Sequence, residues 1–335
     1  MAVWYQRLIW FSVGLALVVI VLGAYVRLSD AGLGCPDWPG CYGELIPTGI
    51  DDGDIRTDFP DRPLVETSKA WKEMVHRYVA AVLGFGILLI AFIAWRNRNE
   101  TGQPIKVPLF TLAVVVFQGL LGMWTVTLLL KPVIVMGHLL GGLLTLGLLT
   151  WLGLEAARNG NDARRIAWPA AIALIALVCQ IALGGWTSSN YAALACPDLP
   201  TCLGQWWPEE ADFREGFIMW RGLGMNYEFG VLEAPARVAI HFTHRLGALT
   251  ASLIILAVTL SYWRKAQPAS PMRTACVAVW AALATQVGLG VGTVWFGLPL
   301  AIATAHNGIA AALLLTVINL NNLASRLPYK ATQPG

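Results

Sequence analysis

Apolar residues in this chain occur in long unbroken runs. Eight runs are separated by short polar stretches or by two long loops. Their approximate limits are 8–26, 72–95, 106–127, 133–154, 167–187, 237–262, 273–296 and 300–321. A helix of about 20 apolar residues spans the hydrocarbon core of a bilayer, and backbone groups in lipid must be hydrogen-bonded internally. The pattern therefore predicts an all-α membrane protein with eight transmembrane helices.

The composition also favours a lipid environment. The 335 residues are 56% hydrophobic and only 13% charged, with a mean hydropathy of +0.60. A soluble domain usually has about a quarter of its residues charged. The 15 tryptophans suit the membrane–water boundary, where this residue is enriched. A net charge of only +3 gives no reason to expect nucleic acid as a partner, so the lipid bilayer is the expected surrounding.

Lysine and arginine collect on one side of the predicted bundle. That side contains Arg7, Arg96, Arg98, Lys106, Arg158, Arg164, Arg165, Arg264, Lys265, Arg273, Arg326 and Lys330. The two long loops, at about 27–71 and 187–237, fall on the other side and are acidic. Their acids are Asp30, Asp37, Glu44, Asp51, Asp52, Asp54, Asp58, Asp61, Glu66, Asp198, Glu209, Glu210, Asp212, Glu215, Glu228 and Glu233. Because cytoplasmic loops are rich in Lys and Arg, both termini are predicted to be cytoplasmic and the long loops outside.

The start of the chain bears on the choice of membrane. The first apolar run, Leu8–Val26, is too long for the apolar part of a secretory signal and lacks a convincing small-residue cleavage site. No Arg- and Ser-rich transit segment precedes it. We therefore expect a multi-pass protein of a bacterial cell (inner) membrane rather than an imported organellar protein.

An internal repeat divides the chain into two similar halves. His76-Arg77 recurs 168 residues later as His244-Arg245, and His138 recurs at the same offset as His306. Further repeats are Gln118–Gly122 with Gln286–Gly290, also at 168, and Cys35–Cys41 with Cys196–Cys202 at 161. The repeat predicts two tandem four-helix bundles, residues 1–160 and 161–335, related by an axis along the membrane normal.

The repeated histidines are the main candidates for chemistry. Ionisable residues within membrane spans are costly and therefore usually functional. His76 and His138 lie near the outer ends of the second and fourth runs, as His244 and His306 do in the sixth and eighth. Two imidazoles on alternate helices of a bundle can bind haem iron from opposite sides. The alternatives are hydrogen bonds to neighbouring helices, and zinc, which prefers four compact ligands.

Three charged or polar neighbours accompany the histidines. Arg77 and Arg245 could pair with haem propionates, since guanidinium matches carboxylate geometry, or could extend to the membrane interface. Glu73 lies one turn before His76, and His241 takes the corresponding place in the second half. This difference favours one catalytic site and one binding or electron-transfer site, although Glu73 could instead be a solvated carboxylate near a helix start.

The cysteines form two loop pairs. Cys35 with Cys41 and Cys196 with Cys202 are both six residues apart, in loops predicted to be outside, where disulfides persist. We expect a disulfide in each loop, either as a structural staple or in redox chemistry and haem delivery. The other two cysteines, Cys179 and Cys276, are predicted to be small apolar fillers within helices.

The ordered set of motifs resembles the haem A synthase family, in its bacterial branch with paired outer-loop cysteines. The resemblance covers nearly the whole chain and includes the segment Gly23–Cys35, GAYVRLSDAGLGC, with the His-Arg and His motifs. Two departures stand out: Ser188 is the counterpart of Arg27, and His241 has no family role that we can assign.

The resemblance implies a haem-dependent oxidoreductase that oxidises the C8 methyl of haem O to a formyl group. The product, haem A, would serve terminal oxidases. The first half would hold the substrate haem O at His76 and His138, with Glu73 as a further catalytic residue. The second half would hold a haem b cofactor at His244 and His306. Haem O synthase and an unidentified electron donor are the implied partners.

Two other functions share the four histidines. A quinol-linked electron-transfer cytochrome would hold two permanent b-type haems and convert neither. A haem carrier or exporter would hold one haem loosely and perform no chemistry. The sequence leaves open the electron donor, the oxidant, whether the chain forms a homo-oligomer, and which iron ligand would leave to admit oxygen.

Overall fold

The structure is a computed structural model that describes residues 3–47, 66–100, 102–157 and 165–327. Eight long helices make up most of these residues. The helices are α1 Val3–Leu28, α2 Thr67–Arg96, α3 Lys106–Thr127, α4 Pro132–Ala157, α5 Trp168–Ser189, α6 Ala234–Lys265, α7 Pro271–Trp295 and α8 Leu300–Ala324. Each is long and apolar enough to cross a membrane. The predicted all-α, multi-pass fold is therefore confirmed, with each helix within a few residues of its apolar run.

The connections match the predicted pattern of short and long loops. The α1–α2 and α5–α6 loops are long, and the remaining connections are short. We call the end of the bundle that carries both long loops the loop end. The second long loop contains a helical turn that the sequence pattern did not predict, Phe213–Gly216. The carboxylate of Asp212 caps this turn by accepting a hydrogen bond from the Glu215 amide at 2.9 Å.

Several predicted features lie outside the described residues. They are the acidic residues Asp51, Asp52, Asp54, Asp58 and Asp61, the basic residues Arg158, Arg164 and Lys330, and the predicted boundary at residues 160 and 161.

Each half closes into a four-helix ring. In the first half α1 contacts α2, α2 contacts α3, α3 contacts α4, and α4 contacts α1. The second half repeats the same cycle from α5 to α8. Between halves the contacts are α1 with α8, α4 with α5, and α4 with α8. These contacts are consistent with two tandem repeats around an axis between α4 and α8.

The largest buried cluster lies between the two rings. It includes Ile9 of α1, Leu146 and Leu149 of α4, and Val317 of α8, all essentially inaccessible to solvent. Large apolar side chains on the far faces of the helices, such as Phe85, are instead exposed. A helix that is apolar all round suits this arrangement, because one face packs in the protein and the other contacts lipid.

Candidate functional site

The four repeated histidines lie within three turns of the loop end. His76 is on α2 and His138 is on α4, which do not contact each other and so stand diagonally across the first ring. His244 on α6 and His306 on α8 have the same relation in the second ring. Each pair is close enough for its imidazoles to interact electrostatically. The structure thus brings together the two pairs that the repeat predicts.

Every one of these imidazoles packs against a glycine of the preceding helix. A Cβ added to the glycine would lie 3.0–3.4 Å from the Cε1 atom of the ring. The pairs are Gly23 with His76, Gly122 with His138, Gly184 with His244, and Gly290 with His306. The absence of a side chain makes room for a flat ring between two helices, and the same solution occurs at all four places.

Glutamines lie beside three of the four histidines. The Gln180 Nε2 atom is 2.9 Å from His244 Nδ1 and 3.1 Å from the His244 carbonyl oxygen. The Gln286 Nε2 atom is 3.3 Å from a ring nitrogen of His306. Gln118 donates to the backbone carbonyl of His138 at 2.8 Å. Gln118 and Gln286, which correspond to each other in the internal repeat, thus lie next to the histidines of α4 and α8.

Two observations fit a haem group between the histidines of each pair. The buried Nδ1 atoms of His76, His138 and His306 have no hydrogen-bond partner among the described residues. Within the same residues, no group of three or more His, Cys, Asp or Glu side chains is arranged to hold a bare metal ion. Diagonal imidazoles with free nitrogen atoms suit a flat macrocycle that supplies the other iron ligands itself.

The two cysteine loops have nearly the same structure. Disulfides join Cys35 to Cys41 and Cys196 to Cys202, with Cα–Cα distances of 4.8 and 4.7 Å, so both predicted pairs are confirmed. In the second loop Asp198 accepts hydrogen bonds from the amides of residues 203 and 204 at 2.7 and 2.9 Å. Asp37 accepts the corresponding bonds in the first loop at 2.6 and 2.8 Å.

Electrostatics reinforce the second loop. Hydrogen bonds from the Thr201 hydroxyl and the Gly204 amide lower the pKa of the Asp198 carboxyl to about 2. This carboxylate therefore stays ionised, and keeps its loop contacts, until the pH falls towards that value.

An arginine from the helix beneath holds each loop. Arg77 donates to the carbonyl oxygens of Asp37, Pro39 and Gly40, the first two at 3.0 and 3.3 Å. Arg245 donates to the carbonyls of Asp198, Thr201 and Cys196, the first two at 2.7 and 2.8 Å. Neither arginine simply extends to the interface. Propionate binding by them stays a prediction, and loop binding is a function that the sequence did not suggest.

Glu73 and His241 make the same contact in the two halves. Glu73 Oε2 accepts a hydrogen bond from the Cys35 amide at 3.0 Å, and His241 Nδ1 accepts one from the Cys196 amide at 3.1 Å. Glu73 also pairs with Arg77 at 2.5 Å. Only 5% of Glu73 is exposed, so the alternative of a solvated carboxylate is wrong. The structure gives His241 the role that the sequence left unassigned.

The remaining candidates divide between packing and surface positions. Cys276 is buried, as expected of a small apolar filler, but Cys179 is exposed on α5, so the same prediction is wrong for Cys179. Arg27 donates to the carbonyl oxygen of its own counterpart, Ser188, at 3.0 Å and lies over the Tyr191 ring at 4.1 Å. It therefore joins the two halves at the loop end.

Some site residues were missed by reasoning from the sequence. Lys131 is buried, and its Nζ donates to the backbone carbonyls of Arg221 and Gly222 at 2.5 and 3.2 Å, which ties the second long loop to the first half. Gln180 was missed because its counterpart, Val19, is apolar. Aligning α1 with α5 at the offset of 161 residues would have revealed that difference.

These features define a class of protein: a multi-pass membrane protein with two pairs of diagonal histidines, each pair beneath a disulfide loop. Comparison with known proteins identifies the family. Residues 6–318 match the family COX15-CtaA, cytochrome oxidase assembly protein, and the chain belongs to this family.

Three relatives match nearly the whole chain. The haem A synthase of Shewanella oneidensis is 45% identical over 313 residues, which cover 91% of this chain and 92% of that protein. The haem A synthase of Halalkalibacterium halodurans is 28% identical over 324 residues, with coverage of 94% and 95%. That of Paracoccus denitrificans is 28% identical over 347 residues, with coverage of 95% and 86%. The resemblance to the haem A synthase family is thus confirmed.

Proposed function

We propose that this protein is a haem A synthase, a membrane oxidoreductase that converts the C8 methyl of haem O to a formyl group. The observation that carries the proposal is the pair of diagonal imidazoles in each ring, every one seated against a glycine. A relative with 45% identity over 91% of the chain bears the same name. The product, haem A, would be supplied to terminal oxidases.

The two halves have different proposed roles. Residues 1–160 bind the substrate haem O at His76 and His138, and residues 161–335 bind a haem b cofactor at His244 and His306. When bound, haem supplies the iron that carries the redox chemistry, while the protein supplies position and electrostatics. The diagonal arrangement would put one imidazole on each side of a haem held inside its ring of helices.

Glu73 and Arg77 complete the first site in this proposal. Glu73 lies one turn from His76 on the same face of α2, which makes it the carboxylate best placed for proton transfer there. Arg77 and Arg245, at the loop end of each site, are the proposed partners of the haem propionates. The same arginines hold the disulfide loops, so each loop would cover the edge of its haem.

The location of the protein follows from the same proposal. The Lys- and Arg-rich end of the bundle is assigned to the cytoplasm of a bacterial cell, and the loop end to the outside. Haem O is a largely apolar molecule, so a donor in the same membrane, haem O synthase, suits the substrate. Oxidation of the methyl to a formyl group requires an oxidant, and an electron donor of unidentified nature is a further proposed partner.

The first test is the identity of the haems. The chain is co-expressed with haem O synthase in a host that lacks haem A, and the extracted haems are identified by mass. Haem A or a hydroxylated intermediate, absent from the empty-vector control, is expected. Unchanged haem O with bound haem b, in folded protein with a competent electron donor, would instead indicate an electron-transfer cytochrome. Loose haem at one site would indicate a carrier.

The second test separates the two sites. His76→Ala and His138→Ala are expected to abolish haem A while haem b remains bound. His244→Ala and His306→Ala are expected to remove haem b, seen as loss of its absorbance in the purified protein. A normal yield of haem A from His76→Ala would contradict the substrate-site assignment.

A further inference from the structure

A segment of the second long loop lies at the junction of the two halves. We call residues 217–231 the surface segment; they follow the helical turn Phe213–Gly216. The Gly216 carbonyl oxygen accepts a hydrogen bond from the indole of Trp186 on α5 at 2.9 Å. Phe217 is partly buried against an apolar cluster that contains Trp186 and that side chains of α4 also contact. The surface segment therefore begins beside α4 and α5, where one half meets the other.

Two contacts fix the height of the surface segment relative to the membrane spans. The Tyr227 amide donates to the Leu129 carbonyl oxygen at 3.0 Å. The buried Lys131 ammonium lies 3.7 Å from the centroid of the Trp220 ring and donates to the next two carbonyl oxygens of the segment. Leu129 and Lys131 belong to the short connection between α3 and α4 at the loop end. Because both helices are long and apolar enough to span a membrane, this connection lies where the hydrocarbon core gives way to headgroups.

Large apolar side chains are exposed along the surface segment. Leu223 is 71% exposed, Phe229 62% and Trp220 60%, and Met219 and Met225 are exposed as well. Single exposed apolar residues are ordinary, but several within one short segment indicate a surface that contacts lipid or another protein.

The segment also carries little free charge. Arg221 and Glu228 are its only charged residues. Arg221 forms an ion pair with Glu215 at 2.6 Å and donates to the carbonyl oxygen of the same residue at 2.7 Å. Lys131, beneath the segment, is buried and bonded to backbone carbonyls. An apolar surface with a tryptophan and few free charges suits the boundary between headgroups and acyl chains.

We propose that the surface segment is a lipid anchor, which lies in the headgroup region of the leaflet at the loop end with Trp220, Leu223 and Phe229 among the lipids. The helices α3 and α5 both contact α4 and both expose large apolar side chains, such as Phe117 and Ile175. The segment therefore extends a surface that already faces lipid. Anchoring holds the second long loop against the first half, and it does so whether or not either histidine pair binds haem.

The test measures the depth of a fluorescent probe on the full-length protein in phospholipid nanodiscs. Leu223→Cys is labelled with a small thiol-reactive fluorophore in a Cys179→Ser background, because Cys179 is exposed on α5 and would also react. An interfacial segment lies about 5–10 Å into the boundary between headgroups and acyl chains. The probe is therefore expected to lose fluorescence to lipids brominated near the top of their acyl chains and to be protected from iodide in the water.

Two further labelling sites calibrate the depth. Glu210→Cys, in the same background, replaces an exposed acidic residue of the same loop and should respond to iodide but not to brominated lipid. Cys179 of the unsubstituted chain lies near the middle of α5 and should be quenched most by bromines deep in the acyl chains. Helical circular dichroism of every labelled protein shows whether it is folded.

Two results would overturn the lipid anchor. A probe at residue 223 that responds like the probe at residue 210 would place the segment in water. Protection from iodide without quenching by brominated lipid would show that protein covers the segment instead, for example a second copy of this chain. Should Leu223→Cys be unable to fold, Met225→Cys takes its place, and the same results decide.

Discussion

At the scale of single residues, glycine makes the histidine sites sterically feasible. A Cβ at Gly290 would lie 3.0 Å from the Cε1 atom of His306, closer than an imidazole and a methyl group normally approach. The ring would have to shift by a few tenths of an ångström. A ligand must hold its geometry within about 0.5 Å, so such a shift weakens binding even where the helix itself is unharmed.

The glycine contact leads to a prediction with a control on the same helix. Gly290→Ala is expected to weaken haem binding at His244 and His306 by about tenfold. This is the lower end of the loss in affinity that follows when the surroundings of a metal ligand are changed. Gly288→Ala should leave binding unchanged, since no atom lies within 4 Å of its added Cβ. Haem retained per protein after detergent purification is the measurement. Equal retention in both variants would refute the steric argument.

Glu73 and His241 show how different residues solve one problem in the two halves. The amides of Cys35 and Cys196 need acceptors, and an unsatisfied buried amide costs about 1–3 kcal/mol. A carboxylate supplies the acceptor in one half and a ring nitrogen in the other. Glu73 and His241 therefore differ in chemistry but accept the same loop hydrogen bond. Their difference is for this reason weaker evidence for two unlike sites and against a symmetric cytochrome.

At the scale of elements, the disulfide loops depend on the helices beneath them. In each loop a disulfide joins the two cysteines, and an aspartate accepts hydrogen bonds from loop amides. An arginine of the following helix donates hydrogen bonds to the loop carbonyls. Hydrogen bonds from one guanidinium to several carbonyls use its planar fork, which lysine lacks. The loops are therefore expected to be rigid caps as long as the arginine is present.

Replacement of Arg245 tests the loop contact separately from any haem contact. Arg245→Lys is expected to speed amide hydrogen exchange in residues 196–204 by about tenfold, which corresponds to about 1.4 kcal/mol for the lost hydrogen bonds. The loop around Cys35, held by Arg77, is the internal control and should not change. The exchange is measured by mass spectrometry on haem-free and haem-containing protein. Faster exchange confined to haem-containing protein would contradict a direct role in the loop.

At the scale of the whole molecule, close packing between α4 and α8 joins the two rings. A Cβ on Gly147 of α4 would lie 3.1 Å from the Cδ1 atom of Ile318 on α8. Lipid competes well for apolar side chains, so helices in membranes associate through close contacts at small residues. The relative position of the two sites therefore depends on this packing and on the Arg27 contact at the loop end.

A large side chain at this contact is expected to push the halves apart. Gly147→Leu should destabilise the folded protein by about 1–3 kcal/mol, the usual cost of overpacking. Gly14→Leu on α1 is the control, because a Cβ there meets nothing within 4 Å. The free energy of unfolding in mixed detergent measures the effect. Equal stability of the two variants would show that the α4–α8 contact is not tight.

Much of the fold followed from the sequence alone. Eight apolar runs of sufficient length require helices, because lipid offers no hydrogen bonds to the backbone. The repeated offset of His76 and His138 predicted a pair of histidines in each half, and the structure places each pair on diagonal helices of its ring. The cysteine spacing predicted both disulfides. These features depend on local hydrophobicity and on regular spacing, both of which are present in the one-dimensional pattern.

The contacts between helices could be decided only by the tertiary structure. The glycine beside each imidazole, the loop carbonyls on Arg77 and Arg245, and the shared contact of Glu73 and His241 all join residues far apart in the chain. Such pairings depend on how helices rotate and approach, which an apolar run does not specify because lipid and protein interior are almost equally apolar. The sequence therefore determined which residues enter the membrane, and packing decided which of them meet.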